Sequence, residues 1–222
     1  MRDPAAAFGE RRESRLYAAI AIFAVPFILA FLPGRYQIMP RFVMFVAAGA
    51  LAIPMLGAQY ARDNAAWMRW ERYCAAVVLP LAIALEFVLL ALLLRDMATA
   101  HPHLTGLTLL TTSIWIWTTN VLIFALFYWH LDRGGPSKRP TGWRGRADFT
   151  FPRGDPEDGV PADWHPVFAD YLALAFNTSA AFTPTDVLPL TPRAKMLMIA
   201  QGIVALITVI AVGARAINIL GS

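Results

Sequence analysis

Residues 74–94 read CAAVVLPLAIALEFVLLALLL, and this stretch decides the class of the fold. It carries one charged residue, Glu86, in an otherwise apolar run. A helix of about 20 apolar residues is long enough to cross the hydrocarbon core of a bilayer. The stretch therefore predicts a membrane-spanning helix.

Four more apolar stretches of this kind flank it. The chain of 222 residues is 58% hydrophobic and 15% charged, whereas a soluble domain has about 25% charged residues. These values exclude a soluble enzyme, a disulfide-stapled secreted domain and a disordered protein. They predict an all-α, polytopic transmembrane helix bundle with five spans, at Leu16–Leu32, Phe42–Ala58, Cys74–Leu94, Leu107–Trp129 and Ala194–Leu220.

A sixth apolar segment, at 167–183, is shorter. It reads VFADYLALAFNTSAAFT, and Pro184 follows it directly. An apolar stretch of this length indicates a re-entrant or short sixth segment more than a full span. Irregular backbone at membrane depth is tolerated only inside protein or beside a water-filled cavity.

The sequence divides into three parts. Residues 1–129 form a four-span bundle, 130–166 a polar loop, and 167–222 a pore-like segment (167–190) with the last span (194–220). The loop holds six prolines and six glycines, basic residues first and acidic residues after them, with aromatic residues interleaved. Three interpretations of it stay open, namely a linker with its aromatic rings at the membrane surface, a lid over a pore mouth and a partner site.

Lysine and arginine are unevenly distributed over the segments between spans. They concentrate before the first span, between the second and third, and in 130–166. Because cytoplasmic segments are enriched in these residues, we expect a bacterial inner-membrane protein with a cytoplasmic N-terminus. The same bias accounts for the net charge of +4 without a nucleic-acid partner, and the single cysteine excludes an intrachain disulfide.

Polar residues inside the third and fourth spans are candidate functional residues. Glu86 lies at a depth where a charged side chain costs about 2.5 kcal/mol or more, so it must face the bundle. Glu86 either binds a cation or a proton, or it forms a hydrogen bond that fixes the packing of the helices. In the fourth span a face of hydroxyl groups ends at Thr119, beside Asn120. Such a face lines a hydrated pathway or bonds neighbouring helices.

The last span carries Gln201, Thr208 and Arg215 at intervals of seven. This spacing places them on one helix face and predicts a helix–helix seam. The chain has no sequence motif typical of a catalytic centre, and we expect no enzyme, no cofactor and no metal site. His101 and His103 lie close together, but two histidines on one short loop are weak support for a metal.

Several stretches resemble a family of uncharacterised bacterial multi-pass membrane proteins. They read YWHLDRGGP at 128–136, DFTFP at 148–152, DYLALAFNTS at 170–179 and PLTPRAK at 189–195. The resemblance covers about the C-terminal half of the chain. It implies a membrane protein and no particular activity.

Residues 170–195 also resemble the pore region of two-helix potassium channels. Thr178 and Ser179 correspond loosely to the hydroxyls of the pore helix, Asp186 and Pro189 to the residues after the filter, and 192–194 to the start of the inner helix. The glycine filter is absent, since Phe-Thr-Pro-Thr stands at 182–185. Those glycines let backbone carbonyls line the pore in the channels.

These observations together predict a channel-like protein that conducts a small inorganic ion. We expect a homo-oligomer in the lipid bilayer. Its pore and ion-binding candidates are Asn177, Thr178, Ser179, Thr183, Asp186, Glu86, Thr119 and Asn120. The alternatives are a non-conducting scaffold or sensor that holds a partner through 130–166, and a small-solute transporter.

Overall fold

The computed structural model describes residues 15–60, 64–99, 105–138, 146–152, 164–180 and 186–220, the side chains of 215–220 excepted. Helices dominate these ranges. They are α1 (Leu16–Ala30), α2 (Arg41–Tyr60), α3 (Ala65–Ala98), α4 (Gly106–Leu131), α5 (Phe168–Ala180) and α6 (Pro192–Leu220). Two short strands, β1 (Phe149–Thr150) and β2 (Leu188–Pro189), and the 3-10 turns Gly34–Tyr36 and Asp132–Gly134 complete the fold.

Four of these helices, α2, α3, α4 and α6, are long and apolar enough to cross a membrane. Helix α1 is apolar as well but has 15 residues. The prediction of a helical membrane bundle is thereby confirmed. The protein is an integral membrane protein built from apolar helices.

Helix α3 begins nine residues before the predicted span, at Ala65. The side chain of Asn64 accepts a hydrogen bond from the backbone N–H of Ala66 at 2.9 Å, and such a cap stabilises the start of a helix. The added turns hold Glu71, which is buried against Arg15 at 3.0 Å. Hydropathy alone missed these turns because they are charged.

Helix α4 is the centre of the bundle. It contacts α1, α3, α5 and α6. Most of its apolar stretch is buried inside the protein, whereas the other three long helices bury about a third or less of theirs. Side chains on α4 are therefore the ones that connect different parts of the structure.

One end of the bundle is organised by Arg15, and we call it the Arg15 end. The Arg15 guanidinium donates to Glu71 at the start of α3 and, at 3.2 Å, to Ser137 just after α4. Helix α6 also starts here, because Arg193 bonds Asp148 and the backbone N–H of Asp148 bonds Asp132, directly after α4. Helices α1, α3 and α6 thus run away from this end, and α4 runs towards it.

The opposite end is organised by Tyr36, and we call it the Tyr36 end. The Tyr36 hydroxyl donates to Asp96 near the end of α3 at 2.9 Å, and Arg35 contacts the same carboxylate at 2.6 Å. Burial, reinforced by the hydrogen bond to Asp96, raises the pKa of Tyr36 well above its ordinary value. Helix α1 therefore joins the two ends.

The described parts of 130–166 fold back onto the bundle. Strand β1 pairs with β2 in antiparallel register, with Phe149 opposite Pro189. Phe149 is fully buried with its ring centroid 5.1 Å from that of Tyr128, and Phe151 packs on Tyr171. These two aromatic rings pack against the helices, whereas one of the three interpretations of 130–166 placed its aromatic rings at the membrane surface.

Candidate functional site

Helix α5 is a half-helix that enters the bundle from the Arg15 end. Its first residue, Phe168, packs on Trp129 near the end of α4, with ring centroids 5.9 Å apart. Beyond 181–185, which lie outside the described residues, the chain is back at the same end in β2. With 13 residues and a rise of 1.5 Å each, α5 spans about 20 Å, less than the hydrocarbon core.

Two buried carboxylates hold the flanks of α5 in place. Asp132 accepts hydrogen bonds from the backbone N–H groups of Asp148 and Phe149 and, at 2.7 Å, from the hydroxyl of Tyr171 on α5. Asp148 accepts two hydrogen bonds of 2.7 Å from Arg193 at the start of α6. The end of α4, the start of α5 and the start of α6 are thus tied to one point.

A tight reversal after α4 positions Asp132. Arg133, Gly134 and Gly135 all have positive φ, at 52°, 76° and 88°. A Cβ atom on Gly135 would lie 2.9 Å from the carbonyl oxygen of His130. This geometry explains why two glycines stand at 134 and 135, since glycine adopts positive φ at little cost.

The far end of α5 lies in a buried polar cluster, the Gln201 cluster, formed by Asn120, Tyr128, Ser179 and Gln201. The Gln201 amide nitrogen donates to Ser179 Oγ at 2.7 Å and to the Ala175 carbonyl at 2.8 Å. Its oxygen accepts from Tyr128, and Ser179 donates to Asn120 at 3.1 Å. Each of the four side chains is at most 2% exposed.

The Gln201 cluster is a directed chain of hydrogen bonds that ends at Asn120. The amide nitrogen of Asn120 is buried and has no hydrogen-bond partner among the described residues. Buried amide groups are nearly always paired, commonly with an ordered water molecule. The arrangement can hold water or another acceptor at the inner end of α5.

Glu86 lies on α3 and contacts α4. Its Oε1 accepts a 2.5 Å hydrogen bond from Thr119, the neighbour of Asn120 in the chain. Glu86 is 1% exposed and lines a cavity formed with α1, α2 and α4. The described contacts of Glu86 therefore connect α3 to α4, and they do not bring this carboxylate to α5.

The remaining predicted pore residues are spread along the segment. Asn177 and Thr178 are half-buried, and the Thr178 hydroxyl donates to the Leu174 carbonyl of its own helix at 2.8 Å. Asp186 is exposed near the Arg15 end. Thr183 lies outside the described residues, so its position stays a prediction.

In the predicted seam on α6, Gln201 and Thr208 are both fully buried. Gln201 joins α6 to α4 and α5, whereas the Thr208 hydroxyl donates to the Val204 carbonyl of its own helix. The side chain of Arg215, like His101 and His103, lies outside the described residues. Within the described part of the chain no group of three His, Cys, Asp or Glu could hold a metal ion.

Sequence reasoning missed most of the residues that position α5. It gave Asp132, Asp148, Tyr128 and Arg193 no partners. A signal for Asp132 was present, because a carboxylate directly after a span and before Gly-Gly can cap the turn that follows. The partners of Asp148 and Tyr128 are distant in sequence, and hydropathy carries no information about them.

The fold and this site define a helical membrane protein in which a half-helix enters the bundle from one end and stops among buried polar side chains. No protein-family model, no curated protein and no solved structure matches the chain.

Proposed function

We propose that the protein conducts a small inorganic cation across the bacterial inner membrane, with α5 as its pore helix. One observation carries this proposal. The chain enters α5 from the Arg15 end and is back at that end in β2, while Ser179 in the last turn of α5 bonds Asn120 and Gln201. Polypeptide that turns back inside a membrane protein is tolerated beside a water-filled cavity or within protein.

The inner end of α5 has the polarity that attracts a cation. The last four carbonyl groups of a helix lack partners within the helix, and they form the negative end of the helix dipole. In α5 this end includes the carbonyl of Ser179, which accepts a hydrogen bond from the Trp117 indole nitrogen at 3.5 Å. Half-helix ends of this kind coordinate cations in membrane transporters.

The Gln201 cluster supports a hydrated path at this depth. Its hydrogen bonds run from Tyr128 to Asn120, whose amide nitrogen is left with capacity to donate. Water bound there would supply part of the hydration shell that a cation needs inside the membrane.

The resemblance to potassium-channel pores supports the same role. Thr178 and Ser179 lie in α5, and α6 begins at Pro192, as the resemblance implies for a pore helix and an inner helix. Since 182–185 read Phe-Thr-Pro-Thr, we do not propose potassium selectivity by a glycine filter. The preferred ion is a result of the experiment below.

The Arg15 end faces the cytoplasm in this proposal, so α5 enters from the cytoplasmic side. Basic residues are more numerous at that end, and cytoplasmic segments are enriched in them. The described ones at the Arg15 end are Arg15, Arg69, Arg72, Arg133, Lys138, Arg146, Arg193 and Lys195, and those at the Tyr36 end are Arg35, Arg41 and Arg95.

We also propose that the protein assembles as a homo-oligomer. The outer face of α6 is apolar and open, with Met196 64%, Leu206 58% and Ile210 61% exposed. Helix α5 adds Phe176, which is 49% exposed. These side chains are available to pack on the same surface of another copy.

Ion flux into liposomes tests the proposal. Purified protein is reconstituted, and flux driven by potassium, sodium and proton gradients is followed separately with ion-sensitive dyes. We expect cation flux above that of protein-free liposomes. Asn120→Leu should lower it by about tenfold, because it removes the donor that would hold a water molecule, and an unsatisfied buried hydrogen-bond partner costs about 1–3 kcal/mol.

Thr111→Val is the matched control, since Thr111 is exposed on α4 and its hydroxyl bonds the Leu107 carbonyl of its own helix. Size exclusion and native mass spectrometry monitor folding and oligomeric state. Wild-type flux no faster than that of protein-free liposomes would overturn the proposal, and so would full flux in a folded Asn120→Leu variant. A monomer with full flux would overturn the oligomer alone.

A further inference from the structure

A cavity of about 160 Å³ lies between α1, α2, α3 and α4. Its walls are apolar side chains from all four helices, among them Ile22, Leu51, Leu89 and Ile123. Glu86 is the one ionisable side chain among the described residues that line it. The cavity is thus an apolar chamber with one carboxylate in its wall.

The two carboxyl oxygens of Glu86 differ in their hydrogen bonding. Its Oε1 accepts the hydrogen bond from Thr119, whereas its Oε2 is buried without a hydrogen-bond partner in the part of the chain that the structure describes. A buried oxygen atom without a partner costs the free energy of its lost hydration. Since Glu86 lines the cavity, a ligand in the cavity that carries a hydrogen-bond donor would pair this oxygen after a small movement of the side chain.

We propose that this cavity binds a small lipophilic amine, whose ammonium group pairs with Glu86 Oε2. The size fits, because an apolar cavity of about 150 Å³ holds a benzene ring. The chamber therefore takes an apolar body of about six to eight carbon atoms with one amino group.

The ligand reaches the cavity from the side of the bundle. Two of the lining side chains, Met39 and Leu81, are 41% and 64% exposed. Leu81 lies on the flank of α3, which faces acyl chains in a bilayer. A lipophilic amine that has partitioned into the membrane can enter there without crossing water.

The chemistry of the wall selects an amine over other ligands. An inorganic cation needs about six oxygen ligands, and the cavity offers one carboxylate with the Thr119 hydroxyl behind it. A pure hydrocarbon would fill the volume but leave Glu86 Oε2 unpaired. An ammonium group supplies both the opposite charge and the hydrogen bond that a buried carboxylate requires.

This site is independent of the proposed ion pathway. Asn120, Ser179 and Gln201 are not among the described residues that line the cavity, and the described hydrogen bond of Glu86 goes to Thr119. Binding is therefore measured without ion flux, and failure of either proposal leaves the other standing.

Equilibrium dialysis tests the inference. Purified full-length protein in detergent micelles is dialysed against radiolabelled benzylamine, and empty micelles provide the blank for partitioning. We expect saturable binding of one molecule per chain. Glu86→Gln should weaken it by about tenfold or more, because a hydrogen bond to a charged group is worth at least that factor. Benzyl alcohol should compete about tenfold less well than benzylamine for the same reason.

Two variants in which leucine replaces alanine complete the test. Ala82→Leu fills the cavity that Ala82 lines and should abolish binding with Glu86 intact. Ala91→Leu adds the same side chain to the exposed flank of α3 and should bind like the wild type. The inference is overturned by wild-type binding equal to the blank, by folded Glu86→Gln that binds equally well, or by a tightly co-purified lipid chain that benzylamine does not displace.

Discussion

Asp132 and Tyr171 join the end of α4 to α5 through a 2.7 Å hydrogen bond between two fully buried side chains. The same carboxylate receives two backbone N–H groups from Asp148 and Phe149. One side chain thereby sets the position at which the half-helix starts. The bond is the most direct target for a mutation that loosens α5 without touching its inner end.

Tyr171→Phe should lower the free energy of unfolding by about 1–3 kcal/mol, because it removes one donor from a buried carboxylate. Thermal unfolding in detergent measures the loss. Tyr60→Phe is the control, since Tyr60 is 85% exposed and the change should be close to neutral. Equal melting temperatures for Tyr171→Phe and Tyr60→Phe would contradict the assigned role of Asp132.

Gly135→Ala should be destabilising by about 1–2 kcal/mol or more, because alanine at positive φ is strained and its Cβ would meet the His130 carbonyl at 2.9 Å. Gly34→Ala offers a matched control, since nothing lies within 4 Å of a Cβ at Gly34. Denaturation of the two variants side by side makes the comparison. A Gly135→Ala variant as stable as Gly34→Ala would argue against the tight reversal after α4.

Cysteine labelling should place both flanks of α5 on one side of the membrane. In a Cys74→Ser background, His165→Cys and Asp186→Cys put thiols at exposed positions before and after α5, and Thr105→Cys puts one at the exposed start of α4. An impermeant thiol reagent is applied to intact and permeabilised cells. We expect the first two to behave alike and opposite to Thr105→Cys.

The same labelling decides the orientation. Protection of His165→Cys in intact cells would agree with the cytoplasmic Arg15 end, and labelling from outside would reverse the proposed topology. Opposite behaviour of His165→Cys and Asp186→Cys would mean that the segment crosses the membrane completely.

Tyr36 should make the stability of the Tyr36 end sensitive to alkaline pH. Its pKa is raised in the folded protein by burial and by Asp96, so the folded state holds this proton more tightly than the unfolded state does. The resulting stability is fully present below a pH of about 10, the ordinary tyrosine value, and is lost as the pH rises further.

Melting temperatures between pH 8 and 11 test this expectation. Wild-type protein should lose stability more steeply above a pH of about 10 than Tyr36→Phe, which lacks the titrating group. Tyr60→Phe should follow the wild-type curve, because its side chain is exposed. Parallel curves for the wild type and Tyr36→Phe would exclude Tyr36 as the cause.

Hydropathy predicted most of the fold because the bilayer imposes a length on apolar helices. The span around Asn120 appears within a few residues of its predicted limits. Helix α3, which carries Glu86, starts earlier than predicted, where Asn64 caps charged turns. Helix α5 was foreseen as a short segment because a span needs more apolar residues than 167–183 supplies. That both ends of this segment lie at the same end of the bundle became clear from the pairing of β1 with β2.

The candidate site was predicted only in part. Ser179, Asn120 and Gln201 stood out as polar residues in apolar surroundings, yet the sequence could not show that they contact one another. Glu86 was grouped with the pore residues for its depth, and the structure places it on α3, in the wall of the cavity and bonded to Thr119. Which side of α4 a residue faces depends on packing that no local pattern encodes.

The hydrogen bonds from Gln201 to Ala175 and Ser179 also set an order of assembly during synthesis. Gln201 leaves the ribosome after α5 has been made, so the inner turn of α5 has no amide partner on α6 until that helix is inserted. A nascent chain that stops before α6 would place those polar atoms in lipid or hold them in the translocon. We therefore expect α5 and α6 to enter the bundle together, after α4.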